Sequence, residues 1–394
     1  MTKDIFGKFL EHLSRYFPVN KFIMKASIPA GFLLVFSGIF IIFTIGCKSN
    51  TSASKNAKKI EVRGIYGSPN PFWNKGISLN QLNVNSIFLS GNSINEKMMS
   101  RAKNEGLKVF AEFPVLNGKS YVDKHPESWA IDKDGNKVQP ASWFMGVCPT
   151  EPGFRQYRMA ELRRLLKTFD IDGVWMDYLH WHAQFEEPEP ILPETCFCNN
   201  CITTFKAMTG IAVPVGNPAF QAEWILVNHD SIWRDWRCSV ITGWVRDIKI
   251  ILKQEKPDAL LGLYHCPWND SEFNGARRRI LGLDYEMLKE VVDVFSPMVY
   301  HGRMGREAEW VKENIEWFCQ RLDIKADRYP KVWPIIQSYD DPNIISSEEF
   351  EKVLRYGLAA GSTGVMMFTS NSIAENDKKT ETMKKVYLEW IQKK

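Results

Sequence analysis

Eight short apolar runs rich in β-branched and aromatic residues recur along the chain, and helical patterns separate them. Apolar runs of this length predict buried β-strands, whereas apolar residues spaced three or four apart predict helices. We predict strands at 60–67, 84–90, 107–113, 173–178, 259–265, 293–300, 332–338 and 363–369. We predict helices at 94–105, 153–168, 200–209, 219–256, 284–291, 305–322, 346–360 and 377–392, with two helices in 219–256. Such alternation indicates an α/β protein with parallel strands.

The number of strand–helix units is that of a (β/α)8 TIM barrel, here with enlarged loops after strands 3 and 4. A doubly wound sheet is the alternative, but the first strand leads into Gly64-Ile65-Tyr66-Gly67, which lacks the G-x-G-x-x-G spacing of a phosphate-binding loop. The long loops 114–150 and 179–215 would both lie at the C-terminal face of a barrel. Because barrel enzymes build their active sites at that face, we expect these loops to carry functional residues.

The first 47 residues are typical of an export segment and not of the fold. No charged residue lies between Lys25 and Lys48, and an apolar run leads to Thr44-Ile45-Gly46-Cys47. A basic residue, an apolar run and a small residue before a cysteine predict a bacterial lipoprotein signal with Cys47 as the lipidated residue. Thr44 departs from the usual signal, in which leucine is commonest at that position. An uncleaved signal anchor is the alternative, because about 20 apolar residues can span a bilayer.

A start at Met24 would give a more typical signal than Met1 does, so we expect translation to begin there. We predict residues 48–58 as a polar tether and 59–394 as one domain. Lipidation would place the protein in the cell envelope, anchored to a membrane on its periplasmic or extracellular face. The formal net charge of the 394 residues is only +4, which gives no reason to expect a nucleic-acid partner.

Several carboxylates stand at or near the ends of predicted strands, where a barrel directs side chains into its pocket. Glu112 ends strand 3, Asp177 ends strand 4, and Asp340 follows strand 7. Hydrolysis of a glycosidic bond needs two carboxyl groups that flank the bond. We predict Asp177 as nucleophile or charge stabiliser and either Glu112 or a later carboxylate (Asp340, Asp270 or Glu272) as acid/base. The structural alternatives are a helix cap for Asp177 and a turn for Asp340.

Further polar and aromatic residues lie at the strand ends or just beyond them. The flat face of a tryptophan suits the C–H face of a sugar ring, although a single tryptophan more often fills core space. Trp143 is one of the tryptophans just beyond a strand end. The predicted substrate-binding residues are Tyr66, Trp73, His180, Trp181, His265, Trp268, Tyr300, His301 and Gln337.

Four cysteines lie in the two enlarged loops. They are Cys148, after strand 3, and the C-x-C-x-x-C motif of Cys196, Cys198 and Cys201, after strand 4. Neighbouring strands bring these loops together, and four thiolates can bind one zinc ion tetrahedrally. We predict a structural zinc on the four cysteines and no catalytic cofactor. The alternatives are a disulfide between the first and last cysteine of the motif, and a zinc held by three cysteines with His180 or His182.

At these residues the sequence resembles two groups of proteins. The lone Cys148 and the motif C-x-C-x-x-C-x-x-x-F at 196–205 resemble the zinc cluster of family 42 β-galactosidases. The segments 125–135, 148–157, 172–177 and 293–300 are similar to the glycoside-hydrolase-like barrel proteins of bacteria, which are often exported and are not characterised. The resemblance spans about residues 60–372 and implies a barrel, a carbohydrate substrate and a structural zinc.

The sequence departs from family 42 at the catalytic positions. That family has Asn-Glu after strand 4 and Glu after strand 7, whereas this chain has Asp177-Tyr178 and Gln337 with Asp340. The family's acid and nucleophile therefore cannot be assigned here. The α-galactosidase and α-fucosidase groups, which have an Asp nucleophile after strand 4, are closer in that respect.

The sequence as a whole predicts an exported, lipid-anchored glycoside hydrolase that cleaves an oligosaccharide or polysaccharide. A glycan-binding surface lipoprotein on a barrel without catalysis is the alternative from another class. A metal-dependent hydrolase using His180, His182 and His265 is a third possibility, with little support because the chain has only seven histidines. The sequence predicts no particular sugar, linkage or oligomeric state.

Overall fold

The structure, a computed structural model, describes residues 58–141, 143 and 146–392. The predicted export segment, the lipidation residue Cys47 and nearly all of the tether lie outside these residues. Among the described helices, none is both long and apolar enough to cross a membrane. Lys58, the last residue of the predicted tether, already contacts the barrel, because its ammonium group donates to the carbonyls of Leu358 and Ala360.

Eight parallel strands form a closed barrel. They are β1 (Val62–Tyr66), β2 (Ser86–Ser90), β3 (Lys108–Pro114), β4 (Gly173–Asp177), β5 (Leu260–His265), β6 (Val294–Val299), β7 (Lys331–Val332 and Ile335–Gln337) and β8 (Gly364–Phe368). Each strand pairs with the next in parallel, and β8 pairs with β1, which closes the sheet. The predicted (β/α)8 TIM barrel is confirmed, and every predicted strand lies within two residues of its observed ends.

Strand β7 consists of two short segments that both pair with β6. Trp333 still donates its backbone N–H to Phe295 at 2.9 Å, and its indole N–H donates to the Thr363 hydroxyl at 3.0 Å. Pro334 has no N–H to donate, so the ladder is interrupted at that residue.

Helices surround the barrel and fill its loops. They are α1 (Asn70–Trp73), α2 (Glu96–Asn104), α3 (Lys119–Val122), α4 (Pro152–Thr168), α5 (Asn199–Thr209), α6 (Pro218–Asn228), α7 (Asp230–Glu255), α8 (Glu272–Arg279), α9 (Tyr285–Leu288), α10 (Glu309–Arg321), α11 (Ser347–Tyr356), α12 (Ser370–Ala374) and α13 (Asp377–Gln392). The segment 219–256 forms two helices as predicted, whereas the short helices α1, α3, α8 and α12 were not predicted. All four belong to loops, where no long apolar periodicity marks them.

Stacked aromatic rings fill the interior of the barrel. Trp175 on β4 stacks on Trp333 with ring centroids 5.6 Å apart, and Phe110 packs against both. The indole N–H of Trp175 donates to the Ser296 hydroxyl at 2.9 Å. On β5, a Cβ atom at Gly262 would lie 2.1 Å from the Trp175 ring, so only glycine allows this approach. These rings make the barrel a packed core and leave the C-terminal face for a binding site.

Candidate active site

The loops at the C-terminal ends of the strands surround a cavity of about 270 Å³. Two carboxylates, Asp177 and Glu186, and one guanidinium, Arg303, contribute its charged groups. Its aromatic walls come from Tyr66, Trp143, Tyr178, Tyr264, Tyr300 and Phe368. A concave site that combines aromatic surface with a few converging charges is suited to a small polar ligand such as a sugar.

Asp177 is the last residue of β4 and lines this cavity. Its Oδ1 atom accepts a hydrogen bond of 2.7 Å from the backbone N–H of Tyr178. Tyr178 has a φ of 51°, in the left-handed region that residues with a side chain seldom adopt. Backbone strain of this kind costs about 1–3 kcal/mol and is concentrated at functional sites. The turn after β4 therefore holds the Asp177 carboxyl group at the cavity at a cost in stability.

Glu112, on the neighbouring strand β3, is buried and accepts a hydrogen bond from the Tyr66 hydroxyl. Burial raises the pKa of Glu112, and the hydrogen bond from Tyr66 acts in the opposite direction. Burial, followed by the charge of Glu112, raises the pKa of Asp177 well above the usual value of a carboxyl group. Two adjacent acids of this kind avoid double ionisation. The Tyr66 hydroxyl favours the charged form of Glu112, and the backbone N–H of Tyr178 acts to lower the pKa of Asp177 against these effects.

Glu186, in the loop after β4, is the second carboxylate of the cavity, and its side chain is 23% exposed. Its Oε2 atom lies 3.5 Å from Nη1 of Arg303, whose Nη2 atom is 2.7 Å from Oε1 of Glu187. Burial raises the pKa of Glu186, while Arg303 acts to lower it. The backbone N–H of Arg303 donates a hydrogen bond of 3.0 Å to Oε1 of Gln337. This bond helps to fix the loop that carries the guanidinium. Glu186 therefore has a cationic neighbour, Arg303, and an anionic one, Glu187, whereas the charged neighbours of Asp177 are the acids Glu112 and Glu186.

The aromatic walls are packed against one another. The ring centroids of Tyr66 and Phe368 are 4.8 Å apart, and those of Tyr300 and Phe368 are 5.2 Å apart. Burial and the nearby carboxylates raise the pKa values of Tyr66, Tyr264 and Tyr300, so these hydroxyl groups stay protonated and can donate hydrogen bonds. At the rim, the Arg303 guanidinium lies 5.5 Å from the ring of Trp143. Together these residues offer flat aromatic surfaces to a ligand.

The four cysteine sulfurs of the enlarged loops form one cluster in which all ligand atoms lie within 4.8 Å of one another. Sγ of Cys148 is 3.3 Å from that of Cys198 and 3.4 Å from that of Cys201. A tetrahedral site with metal–sulfur bonds of about 2.3 Å places sulfurs about 3.8 Å apart, so the donor set fits such a metal. All four thiols are free, which excludes the disulfide alternative in this structure. His182 instead contacts the Gln139 carbonyl through Nε2 at 3.1 Å.

Comparison with known proteins agrees with this architecture. The family described as glycosyl hydrolase-like 10 matches residues 87–326. The chain belongs to this family. No curated protein sequence matches it.

Among solved structures, this glycosyl hydrolase-like 10 protein is similar to the PgaB (BpsB) glycoside hydrolase domain from Bordetella bronchiseptica. The two share 13% sequence identity with a TM-score of 0.61, and the match covers 83% of this chain and 98% of that domain. It is also similar to the β-galactosidase from the psychrophilic Marinomonas ef1, with a TM-score of 0.61 and 10% identity over 83% of this chain. The β-galactosidase from Bacillus circulans sp. alkalophilus gives a TM-score of 0.60 and 13% identity over 86% of this chain. The chain spans only 59% and 57% of those two enzymes. At these identities the likeness concerns the fold.

Of the predicted catalytic residues, the structure brings Asp177 to the cavity and places Glu112 behind it, whereas Asp340 lies elsewhere. Asp340 is exposed, 2.8 Å from the ammonium group of Lys379, and accepts a hydrogen bond from the backbone N–H of Ile345. This loop role agrees with the turn alternative. The other late carboxylates, Asp270 and Glu272, form ion pairs with Arg277 and Arg306.

Of the predicted substrate-binding residues, Tyr66 and Tyr300 line the cavity, and His180 lines a smaller adjoining one. The others are buried in packing or hydrogen bonds away from it: Trp73, Trp181, His265, Trp268, His301 and Gln337. The Trp181 indole donates to the Arg237 carbonyl at 3.2 Å, and His265 contacts the Tyr285 hydroxyl at 2.9 Å. His301 pairs with Glu349 at 2.9 Å. These six residues stand at strand ends but point into the surrounding structure.

Several cavity residues of this glycosyl hydrolase-like 10 protein were not predicted, among them Glu186, Tyr264, Arg303 and Phe368. Tyr264 precedes the strand-end residue His265, so the alternation of side chains along β5 places it inside the barrel. Glu186 belongs to the acidic stretch Glu186-Glu187-Pro188-Glu189 in a loop already expected at the C-terminal face. That acidic stretch was the available signal for a second carboxylate.

Proposed function

We propose that the protein hydrolyses a glycosidic bond of an oligosaccharide or polysaccharide in the cavity at the C-terminal face of its barrel. The observation that carries the proposal is the environment of Asp177, a carboxyl group that lines an aromatic cavity beside two further acids. A carboxyl group whose pKa is raised by burial and by a neighbouring anion can hold a proton at neutral pH. Such a group can protonate the oxygen of a leaving sugar.

The walls of the cavity support the same chemistry. Rings of Tyr66, Tyr300 and Phe368 form a continuous apolar surface on which the C–H face of a sugar can stack. Membership of a family described as glycosyl hydrolase-like supports a carbohydrate substrate. The carboxylates and Arg303 would bind hydroxyl groups and orient the bond to be cleaved.

The experiment incubates the purified domain with a panel of aryl glycosides and polysaccharides and measures newly formed reducing ends. Asp177→Asn is expected to lower the rate by about 100- to 10,000-fold, the range of a lost general acid. Asp340→Asn serves as the matched control, because Asp340 is also a strand-end aspartate but does not line the cavity. An equal rate for Asp177→Asn and the parent would contradict the role of Asp177. Binding of a glycan without turnover would identify the protein as a glycan-binding lipoprotein.

The proposal includes a structural zinc ion on Cys148, Cys196, Cys198 and Cys201. Four closely spaced thiol sulfurs in two loops support it. When bound, zinc would hold together the loop after β3 and the loop after β4, which carry Trp143 and Glu186. Its contribution to the reaction would be to fix those loops.

The proposal also includes export and lipidation on Cys47, which the basic, apolar and small-residue pattern of residues 25–47 supports. Lipidation would keep the protein in the cell envelope. Labelling of cells with a radioactive or clickable fatty acid tests this part, and Cys47→Ser is expected to abolish the label.

A further inference from the structure

A small cavity of about 20 Å³ adjoins the main cavity, and Asp177 and Glu186 line both. A cavity needs about 10–15 Å³ to accommodate a single water molecule, and that water needs two to four polar partners. Polar side chains of Asp177, Glu186, His180 and Gln184 line the small cavity. Its size and its polar lining residues therefore suit one water molecule.

The two carboxyl groups are in different electrostatic surroundings. Burial raises the pKa of Glu186, and of its charged neighbours, Arg303, 3.5 Å away, acts to lower it while Glu187 acts to raise it. Asp177 instead has the anionic neighbour Glu112, which favours its protonated form. An acid and a base that differ in this way are the two groups that hydrolysis of a glycosidic bond requires.

We infer that Glu186 is the second catalytic carboxylate and acts as the general base for a water molecule in the small cavity. This inference rests on the proposed glycoside hydrolysis. Asp177 transfers its proton to the glycosidic oxygen as the bond between that oxygen and the anomeric carbon breaks. The oxygen of water forms a bond to the anomeric carbon, and one proton of that water passes to Glu186. The products are two free hydroxyl groups, and proton transfer from Glu186 to Asp177 through solvent restores the site.

Glu187 offers a matched control next to Glu186 in the sequence. It forms the shorter ion pair with the same guanidinium, at 2.7 Å, but it lines neither cavity. Glu186→Gln and Glu187→Gln each remove one negative charge next to Arg303, so a purely electrostatic or structural role would affect both variants. If Glu186 acts as the general base, only the Glu186→Gln variant should lose activity.

The test compares parent, Glu186→Gln and Glu187→Gln on the glycan that the parent cleaves best. Glu186→Gln is expected to lower kcat by 100-fold or more with KM changed by less than about threefold, and to lose the acidic limb of the pH profile. Glu187→Gln is expected to keep kcat within about threefold of the parent. Thermal unfolding of each variant separates loss of the base from loss of the fold. If Glu186→Gln is unstable, Glu186→Asp is tested in its place. Partial activity is expected of Glu186→Asp, because it retains a carboxylate on a shorter side chain.

The outcomes distinguish this inference from the proposed function. An active parent with a folded, fully active Glu186→Gln variant overturns the base role and leaves glycoside hydrolysis standing. Equal losses in the Glu186 and Glu187 variants also overturn it, because they point to Arg303 instead. A parent that cleaves none of the glycans overturns both.

Discussion

At the scale of single residues, Arg303 supplies the positive charge of the candidate site. It lies 3.5 Å from Glu186, lines the cavity and contacts the Trp143 ring. Its guanidinium acts to lower the pKa of Glu186 against the effect of burial. Its own pKa is raised by the carboxylates that surround it, so it stays charged throughout the accessible pH range.

Arg303→Met is therefore expected to raise the pKa of Glu186 further, because the positive charge that acts to lower it is removed. A base must be deprotonated to act, so the acidic limb of the kcat/KM profile should move to higher pH. Arg306→Met is the control, because Arg306 pairs with Glu272 at 2.7 Å and does not line the cavity. An unchanged acidic limb in Arg303→Met would mean that Glu186 does not determine it.

The sequence predicts some of these residues and misses others for physical reasons. Asp177 is predictable because it ends an apolar run whose next residue starts a loop. Glu186 is nine positions further on, in a loop without periodicity, so its return to the cavity depends on how that loop folds. His265 and Trp181 stand where a functional residue would, but inside the fold Nδ1 of His265 contacts the Cys266 carbonyl and the Tyr285 hydroxyl, and the Trp181 indole donates to the Arg237 carbonyl. The strand ends thus predict where the site lies better than they predict which residues belong to it.

At the scale of elements, the proposed zinc ion on the cysteine cluster would hold together the enlarged loops after β3 and β4. Cys198→Ser is expected to abolish zinc binding and to lower the free energy of unfolding by about 4 kcal/mol or more, a loss that removal of a structural metal can reach. Metal content by mass spectrometry and chemical denaturation measure the two effects. Cys238→Ser is the control, because Cys238 is buried in α7 outside the cluster. Purified parent protein without zinc would contradict the site.

The close contact between β4 and β5 allows a second prediction at this scale, which concerns the stability of two glycine variants. Gly262→Ala places a methyl group 2.1 Å from the Trp175 ring in the packed interior, so we expect a loss of stability of about 3 kcal/mol. Gly243→Ala, in the middle of α7, meets only a side-chain atom at 3.7 Å and is expected to stabilise by up to about 1 kcal/mol. Urea denaturation of both variants measures the difference. Equal effects would show that the barrel interior can rearrange around Trp175.

At the scale of the whole molecule, the barrel follows from local patterns because each strand–helix unit is marked in the sequence. Every predicted strand is present, and the loop helices were missed because short segments of four to eight residues have no clear period. The abundance of tryptophan, which suggested sugar contacts, is explained mostly by packing. Trp175, Trp181, Trp233, Trp244 and Trp268 are among the largest fully buried side chains. The candidate functional groups are the few side chains that line the cavity at the C-terminal face of the barrel.

Holding these groups has a cost in stability that depends on pH. The pKa of Asp177 is raised in the folded protein, so its contribution to stability is fully present below the unfolded pKa of about 4 and is lost as the pH rises through the folded pKa. Asp177→Asn removes this titration. The variant should match the parent in acid and should melt at a higher temperature at neutral and alkaline pH, by about 2 °C for each kcal/mol relieved.

The stability of Asp340→Asn, relative to the parent, should depend on pH in the opposite direction. The Lys379 ammonium group and the Ile345 N–H lower the pKa of Asp340 despite partial burial, so its contribution is present above the unfolded pKa and is lost as the pH falls. That variant should melt below the parent at neutral pH and approach it in acid. Melting temperatures of parent and both variants between pH 3 and pH 9 measure the two trends. If Asp177→Asn were instead less stable than the parent at neutral pH, the charged form of Asp177 would be the one that the fold stabilises, and the general acid of the reaction would have to be another group.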